Sequence, residues 1–200
     1  MWALVEDGSI TKLINHPKGM VIGDTRHSRK IFSLWSKSEL EAKGIYEIVW
    51  DNSKKKDEEY YTNTNQTFTY DADAGTVTAT YGDATAKAHA DTLFTAQDEV
   101  DGKGIEGEVK VKGLKTLKIA AIKQKAAGIL AKTDWYIVRK ADAGTSVPSA
   151  ITNHRAAVRT KCAEMETAIT NASNTAAIET LYTRNAEGVR PIGDLPTLEV

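Results

Sequence analysis

The sequence predicts an α+β chain. A small β-rich N-terminal domain (hairpins plus one short helix) leads through a Gly-rich linker to a C-terminal α-helical hairpin with an extended tail. Three observations carry this. From Leu114 to Ile169 apolar residues recur at three- and four-residue steps in two runs, the signature of two helices with one apolar stripe each. Before Tyr81, β-prone runs alternate with turn pairs such as Asp7-Gly8. Between them, Gly102, Gly104, Gly107 and Gly113 lie among charges without any period, as in a linker. The expected boundaries are residues 1–97, 98–113 and 114–200.

Asp7-Gly8 joins Trp2–Glu6 to Ser9–Ile14 as a hairpin, and Met20–Gly23 reads as a further short strand. Ile31–Trp35 is apolar and β-prone. Ser36 and Glu39 have the spacing of a capping box, so a short helix should run from Lys37 to Lys43, closed by Gly44 in the left-handed region. Ile45–Asp51 reads as a strand with Tyr46, Ile48 and Trp50 on one face and Ile45, Glu47 and Val49 on the other. Asn52–Glu59 is a polar loop. Tyr60–Tyr70 reads as a long strand that turns at Asp71–Gly75 and returns along Thr76–Tyr81. That pairing places Phe68 and Tyr70 opposite Val77, Ala79 and Tyr81 and leaves a Thr-rich second face. Ala84–Gln97 has the makings of a short helix.

In the C-terminal part, Leu117, Ala121, Ile122, Ala126, Ile129 and Leu130 form the first stripe. Ile151, Val158, Cys162, Met165 and Ile169 form the second. Two such stripes joined by a short connection, here Thr133 through Pro148, pack on each other. Ala176–Tyr182 suits two further helical turns. From Gly188 to Val200, Pro191, Gly193 and Pro196 favour an extended tail.

Composition narrows the function classes. Lys and Arg number 26 against 27 Asp and Glu, a net charge of -1, more acidic than a general nucleic-acid binder. No apolar run approaches a membrane span, and the first residues meet acid too early for a signal peptide. The expectation is a soluble chain made in a reducing cytosol, with neither nucleic acid nor membrane as partner. Cys162 is the only cysteine. It lies in phase with Val158 and Met165, so it reads as a small buried apolar residue and not as a reactive thiol.

Catalytic patterns are sparse. His16, His27, His89 and His154 lack the spacing and companions of a metal site. There is no G-x-S-x-G elbow, phosphate-binding loop or dinucleotide fingerprint. Glu164 and Glu166 fall on different sides of a helix. Lys54-Lys55-Lys56 is followed at once by Asp57-Glu58-Glu59, which cancels its field. A glycan hydrolase using Asp71, Asp73 or Glu58 is a minor alternative, with no pair fixed by spacing. The expectation is no catalytic residue, no cofactor and no metal. Trp135 has two competing roles. It can plug the opening between the two helices, the default, or anchor a partner. Arg155 and Arg159, four apart, would line one helix edge, facing either surface acids or an acidic partner.

A helix ending at Leu130, then Thr133-Asp134-Trp135, then Pro148, then a helix bearing His154-Arg155-Ala156-Ala157-Val158-Arg159, resembles the C-terminal module of bacteriophage tail-fibre assembly chaperones. That family has a Thr-Asp-Trp elbow before a helix with an aromatic-Arg-x-x-Leu/Val-Arg run. A proline-containing tail follows, as Leu195-Pro196-Thr197 does here. The opening Trp2–Gly8 is similar to the N-terminal hairpin of small phage tail proteins. The resemblance implies a non-enzymatic protein that binds a phage tail fibre or other tail protein, assists its folding or trimerisation, or remains attached to it. A permanent structural or adaptor subunit of the tail is the alternative. It implies homo- or hetero-oligomeric contacts and residence in the host cytoplasm during assembly, or in the virion tail. The partner-binding residues expected on this reading are Trp135, Tyr136, Arg155, Arg159, Leu195 and Pro196.

Overall fold

The structure is a computed structural model and describes residues 1–198. It is α+β, with a curled β-sheet and several helices. Internal contacts divide the chain after Thr85 into two units. The division therefore falls ahead of the 98–113 stretch that composition marks as a linker.

In the first unit, β1 (Trp2–Glu6) and β2 (Ser9–Ile14) form the expected hairpin. Asp7 and Gly8 both take positive φ, 49° and 74°, which a tight two-residue turn between twisted strands requires. A short ribbon of β3 (Met20–Ile22) and β4 (Thr25–His27) follows. Next come two helical turns, α1 (Ile31–Leu34) and α2 (Lys37–Glu41), and then β5 (Ile45–Asp51). After β6 (Tyr61–Thr62), the hairpin of β7 (Thr67–Asp71) and β8 (Thr76–Thr80) completes a sheet of order β2-β1-β5-β8-β7. The β5–β8 pairing is parallel, which the long connection between them permits.

Strand alternation sends Ala3, Val5, Ile48, Val77 and Ala79 to one core. Leu4, Ile14 and Ile45 go to another, closed by Met20, Ile31 and Leu40. Tyr46 and Ile48 thus oppose Ile45, as the pattern of the strand requires. Phe68 pairs with Ala79 and Tyr70 with Val77, also as expected. The capping box is present, with the Ser36 backbone donating to Glu39 Oε2 at 2.7 Å. That N–H, and next the Ser36 hydroxyl, hold the Glu39 carboxyl below its usual range. Gly44 takes φ 73°, and a Cβ there would run into the Val5 carbonyl oxygen.

Two expectations are corrected here. Ile31–Trp35 is a helical turn and not β structure, because Ile31 and Phe32 both pack into the same core, Phe32 with its ring 4.9 Å from that of Trp2. Adjacent residues of a strand would face opposite ways. The long strand from Tyr60 is broken by Asn65 at φ 55°, and the neighbours Tyr60 and Tyr61 are both buried.

In the second unit the stretch expected as helix and linker is folded differently. A two-residue strand, β9 (Thr85–Ala86), stands at the division. Beyond it, β10 (Thr92–Leu93) pairs with β11 (Val109–Val111), and α3 (Ala96–Val100) starts at a Thr95/Asp98 capping box. Asp98 is buried and bound by Lys110 Nζ at 2.9 Å. Two of the supposed linker glycines are close-approach positions: a Cβ on Gly104 would strike the Phe94 ring, and one on Gly113 the Ala90 backbone. Instead of forming a helix, residues 88–91 cap the next one. The carbonyls of Ala88 and His89 accept from the Leu114 and Lys115 N–H groups, and Asp91 accepts from Gly113 N at 2.7 Å and Thr116 Oγ1 at 2.9 Å.

The helices are α4 (Leu114–Ala131), α5 (Asp134–Ala143), α6 (Ser149–Asn171) and α7 (Thr175–Tyr182). The antiparallel pairing expected of two stripes is made by α4 and α6, around Ile122, Ala126, Val158, Cys162, Met165 and Ile169. Every expected member of the α6 stripe is buried. On α4, Leu117 and Ala121 are exposed, and Leu114 and Ile119 pack inward in their place. The connection is not a plain loop, since α5 occupies most of it. The tail is irregular and not extended throughout. Gly188 and Gly193 turn it at positive φ, returning Ile192 and Leu195 to the helical core. Its last two residues, Glu199 and Val200, lie outside the described residues. No helix among the described residues is long and apolar enough to cross a membrane.

Candidate partner-binding site

The site is built on the corner between α4 and α5. Within the α6 stripe, apolar residues stand at 151, 158, 162, 165 and 169, and Arg155 fills the gap in the series. It is 7% exposed. Its Nη1 donates to the Leu130 carbonyl at 2.7 Å and to Thr133 Oγ1 at 2.7 Å, and its Nη2 lies 2.8 Å from Asp134 Oδ1. Thr133, also buried, donates its own hydroxyl to Leu130 at 3.0 Å. The arrangement suits both helix dipoles. A cation sits at the carbonyl end of α4, and Asp134 occupies the first turn of α5. One buried guanidinium therefore ties three helices at a point.

What the corner holds out is α5, and not one residue of α5 is buried. Trp135 is 50% exposed, and Ile137 and Val138 are exposed beside it. The Trp135 and Tyr136 rings stack at 3.7 Å, with the Arg139 guanidinium 4.8 Å from the indole centroid. Gly144, left-handed at φ 69°, ends the helix. Ten residues without a buried face would scarcely form a helix alone, so the Arg155 clamp and the Gly144 cap have to hold it.

Between α4, α5 and α6 lies a cleft of about 570 Å³, with Ile129, Trp135, Tyr136, Ile151 and His154 among its walls, Lys132 at its rim and Leu198 of the tail along it. That size is within the range of about 300–1,000 Å³ usual for ligand sites.

The residues singled out from the sequence divide accordingly. Trp135 and Tyr136 come together at the cleft, and the exposure of Trp135 corrects its reading as a plug. Arg155 is a positioning residue behind the surface and not part of a helix edge. Arg159 is exposed but outside the cleft. Leu195 is buried in the helical core and Pro196 is half-buried, so Leu195 is unavailable as a contact. The residues that sequence reasoning missed are Ile129, Lys132, Ile151 and the exposed Ile137 and Val138. The one available signal was the polar residue at position 155 of an otherwise apolar series.

Outside the cleft, Asp71, Glu58, Lys55, Lys56 and Cys162 have structural partners. Asp71 Oδ1 accepts from the backbone N–H groups of Asp73 and Ala74, as a turn former does. Lys55 pairs with Glu58 at 3.0 Å, and Lys56 lies over the Tyr61 ring. Cys162 is buried and donates to Glu166, and burial pushes its thiol pKa up, away from reactivity. Among the described residues no three His, Cys, Asp or Glu converge as metal ligands. In comparisons with known proteins, no family model, curated protein or solved structure matches this chain.

Proposed function

We propose that this chain is a non-enzymatic polypeptide-binding protein of a bacteriophage tail that holds a tail fibre while it folds or trimerises. The observation that carries the reading is α5: a helix with no buried side chain, presenting Trp135, Ile137 and Val138 to solvent from a corner fixed by a buried arginine. Clustered exposed apolar side chains mark interaction surfaces, and a rigidly held aromatic is the usual energetic centre of one. The choice of partner rests on the resemblance of the Thr133-Asp134-Trp135 corner and the Arg155-bearing helix to tail-fibre assembly chaperones. Unassembled β-rich fibre chains carry open strand edges and apolar surface, and covering these suppresses aggregation. The work is done in the host cytoplasm during assembly.

Co-expression with a β-rich phage tail-fibre chain tests this. Soluble trimer yield should rise with the chain present and fall back with Trp135→Ser. An unchanged yield with and without the chain contradicts a chaperone role. Peptides of the chain in purified particles would move it to the second role, a retained structural subunit of the virion tail.

A further inference from the structure

We infer that residues 196–198 of the tail are a displaceable strap on the cleft between α4, α5 and α6, which a bound polypeptide has to lift from the apolar wall. This rests on reading the chain as a polypeptide-binding protein and adds how access to that site is regulated. The strap has one fixed end. Ile192 and Leu195 are 3% and 5% exposed, and both pack into the helical core with Val158 and Ile169. Gly193, at φ 74°, turns the chain between them. The path of the tail up to Leu195 is therefore set by the same packing that joins α4 to α6.

Beyond Leu195 the hold changes. Pro196 is half-buried and has no N–H to donate, Thr197 is exposed, and Leu198 is half-buried. Thr197 and Leu198 line the cleft together with Ile129, Trp135, Tyr136 and Ile151. Among the described residues, none from 195 to 198 makes a hydrogen bond. Apolar contact by Leu198 is what seats the strap. Half-burying a leucine favours the seated state by no more than about tenfold, and fixing the backbone of Thr197 and Leu198 works against it. An occupant that covers the same wall more fully displaces so small a contact.

The strap competes for the site without filling it. Leu198 offers the cleft the type of side chain that its aliphatic and aromatic walls accept. Yet Trp135 stays 50% exposed, and about 570 Å³ of the cleft stays open. An incoming apolar segment meets Trp135 first and then gains the wall under Leu198. With no partner bound, the strap covers that wall and limits the apolar surface left in water.

Fluorine NMR of the chain labelled with 5-fluorotryptophan tests the seat. It follows Trp135 beside three internal controls, Trp2, Trp35 and Trp50, all in the first unit, and Trp135→Phe assigns the signal. Three forms are compared: the full chain, Leu198→Ser, and the chain stopped after Leu195, which keeps the anchor in the core. The Trp135 signal should move in both variants while the other three stay. A β-rich phage tail-fibre chain should bind both variants between about two- and tenfold more tightly than the full chain, because no fraction of the sites is closed by the strap.

A Trp135 signal indifferent to both variants overturns the strap, and fibre binding that still depends on Trp135 then leaves the polypeptide-binding reading standing. A moved signal with the fibre bound equally, or more weakly, by the variants makes the tail a fixed wall of the site; this too overturns the strap alone. A fibre bound by none of the three forms overturns the polypeptide-binding reading and the strap with it.

Discussion

Arg155→Ala removes the clamp on which the presentation of α5 depends. The guanidinium makes two hydrogen bonds at 2.7 Å, to the Leu130 carbonyl and Thr133 Oγ1, and one ion pair at 2.8 Å to Asp134. A hydrogen bond to a charged group contributes about 1.5–3 kcal/mol. Three reductions apply. Asp134 is 57% exposed and rehydrates, so its pairing is screened and counts for little. The Leu130 carbonyl keeps its bonds from the Thr133 N–H and hydroxyl. The arginine also recovers the cost of its own burial in water. The net loss for the helical unit is then about 2–3 kcal/mol.

The loss is local in its consequences. The α4–α6 contacts around Val158 and Ile169 are untouched, whereas α5 has little else to hold it. Urea unfolding followed by circular dichroism measures the first effect, and hydrogen exchange read by mass spectrometry measures the second. Amides 137–143 should exchange much faster in the variant, with those of 158–169 still protected. Arg155→Met, which keeps an apolar stem in the stripe, should restore part of the stability but not the protection of α5. A loss below about 1 kcal/mol with α5 exchange unchanged would refute the reasoning.

Other perturbations separate the structure from simpler readings of the sequence. Ile169→Ala, at a fully buried position, should cost about 2–5 kcal/mol, while Leu117→Ala, at a residue 50% exposed, should cost less than about 1 kcal/mol; equal losses would contradict the packing of α4. Gly44→Ala should destabilise the first unit by at least about 2 kcal/mol, since the left-handed backbone alone costs an L-residue about 1–2 kcal/mol and the Val5 carbonyl leaves no room for the new methyl; a neutral result in urea unfolding would contradict that turn. Lys110 and then the Thr95 N–H hold the Asp98 carboxyl down from 3.8 to about 2. A lowered folded-state pKa gives stability that is complete above 3.8 and is lost as pH falls through about 2. Asp98→Asn should therefore flatten that part of the acid unfolding profile, and profiles of identical slope would count against it.

Much of the fold was legible because its signals are local. Asp7-Gly8 can form one kind of turn, Ser36 and Glu39 satisfy each other's backbone groups, and Gly44 stops a helix whatever surrounds it. The α6 stripe was legible because its members recur with a strict period. On α4 apolar residues lie all round the helix, so only packing selects Leu114 and Ile119 over Leu117 and Ala121. The 98–113 stretch misled because glycine serves close approach as well as flexibility. Gly104 and Gly113 are there to admit Phe94 and Ala90, and the Thr95/Asp98 capping box beside them was a signal against a linker. At the site, Trp135 and Tyr136 were visible as candidates, but their exposure was not. An arginine on an otherwise apolar helix face looks the same in sequence whether it reaches outward to a partner or, as Arg155 does, inward to tie helix ends.

The most direct measurement is the hydrogen-exchange footprint of the full chain, free and mixed with a tail-fibre chain, the partner we propose. The account predicts new protection concentrated at residues 129–143 and 150–154, lost together with binding in Trp135→Ser. Protection confined to the first unit, or a bound state that leaves 134–143 exchanging as freely as before, would contradict it.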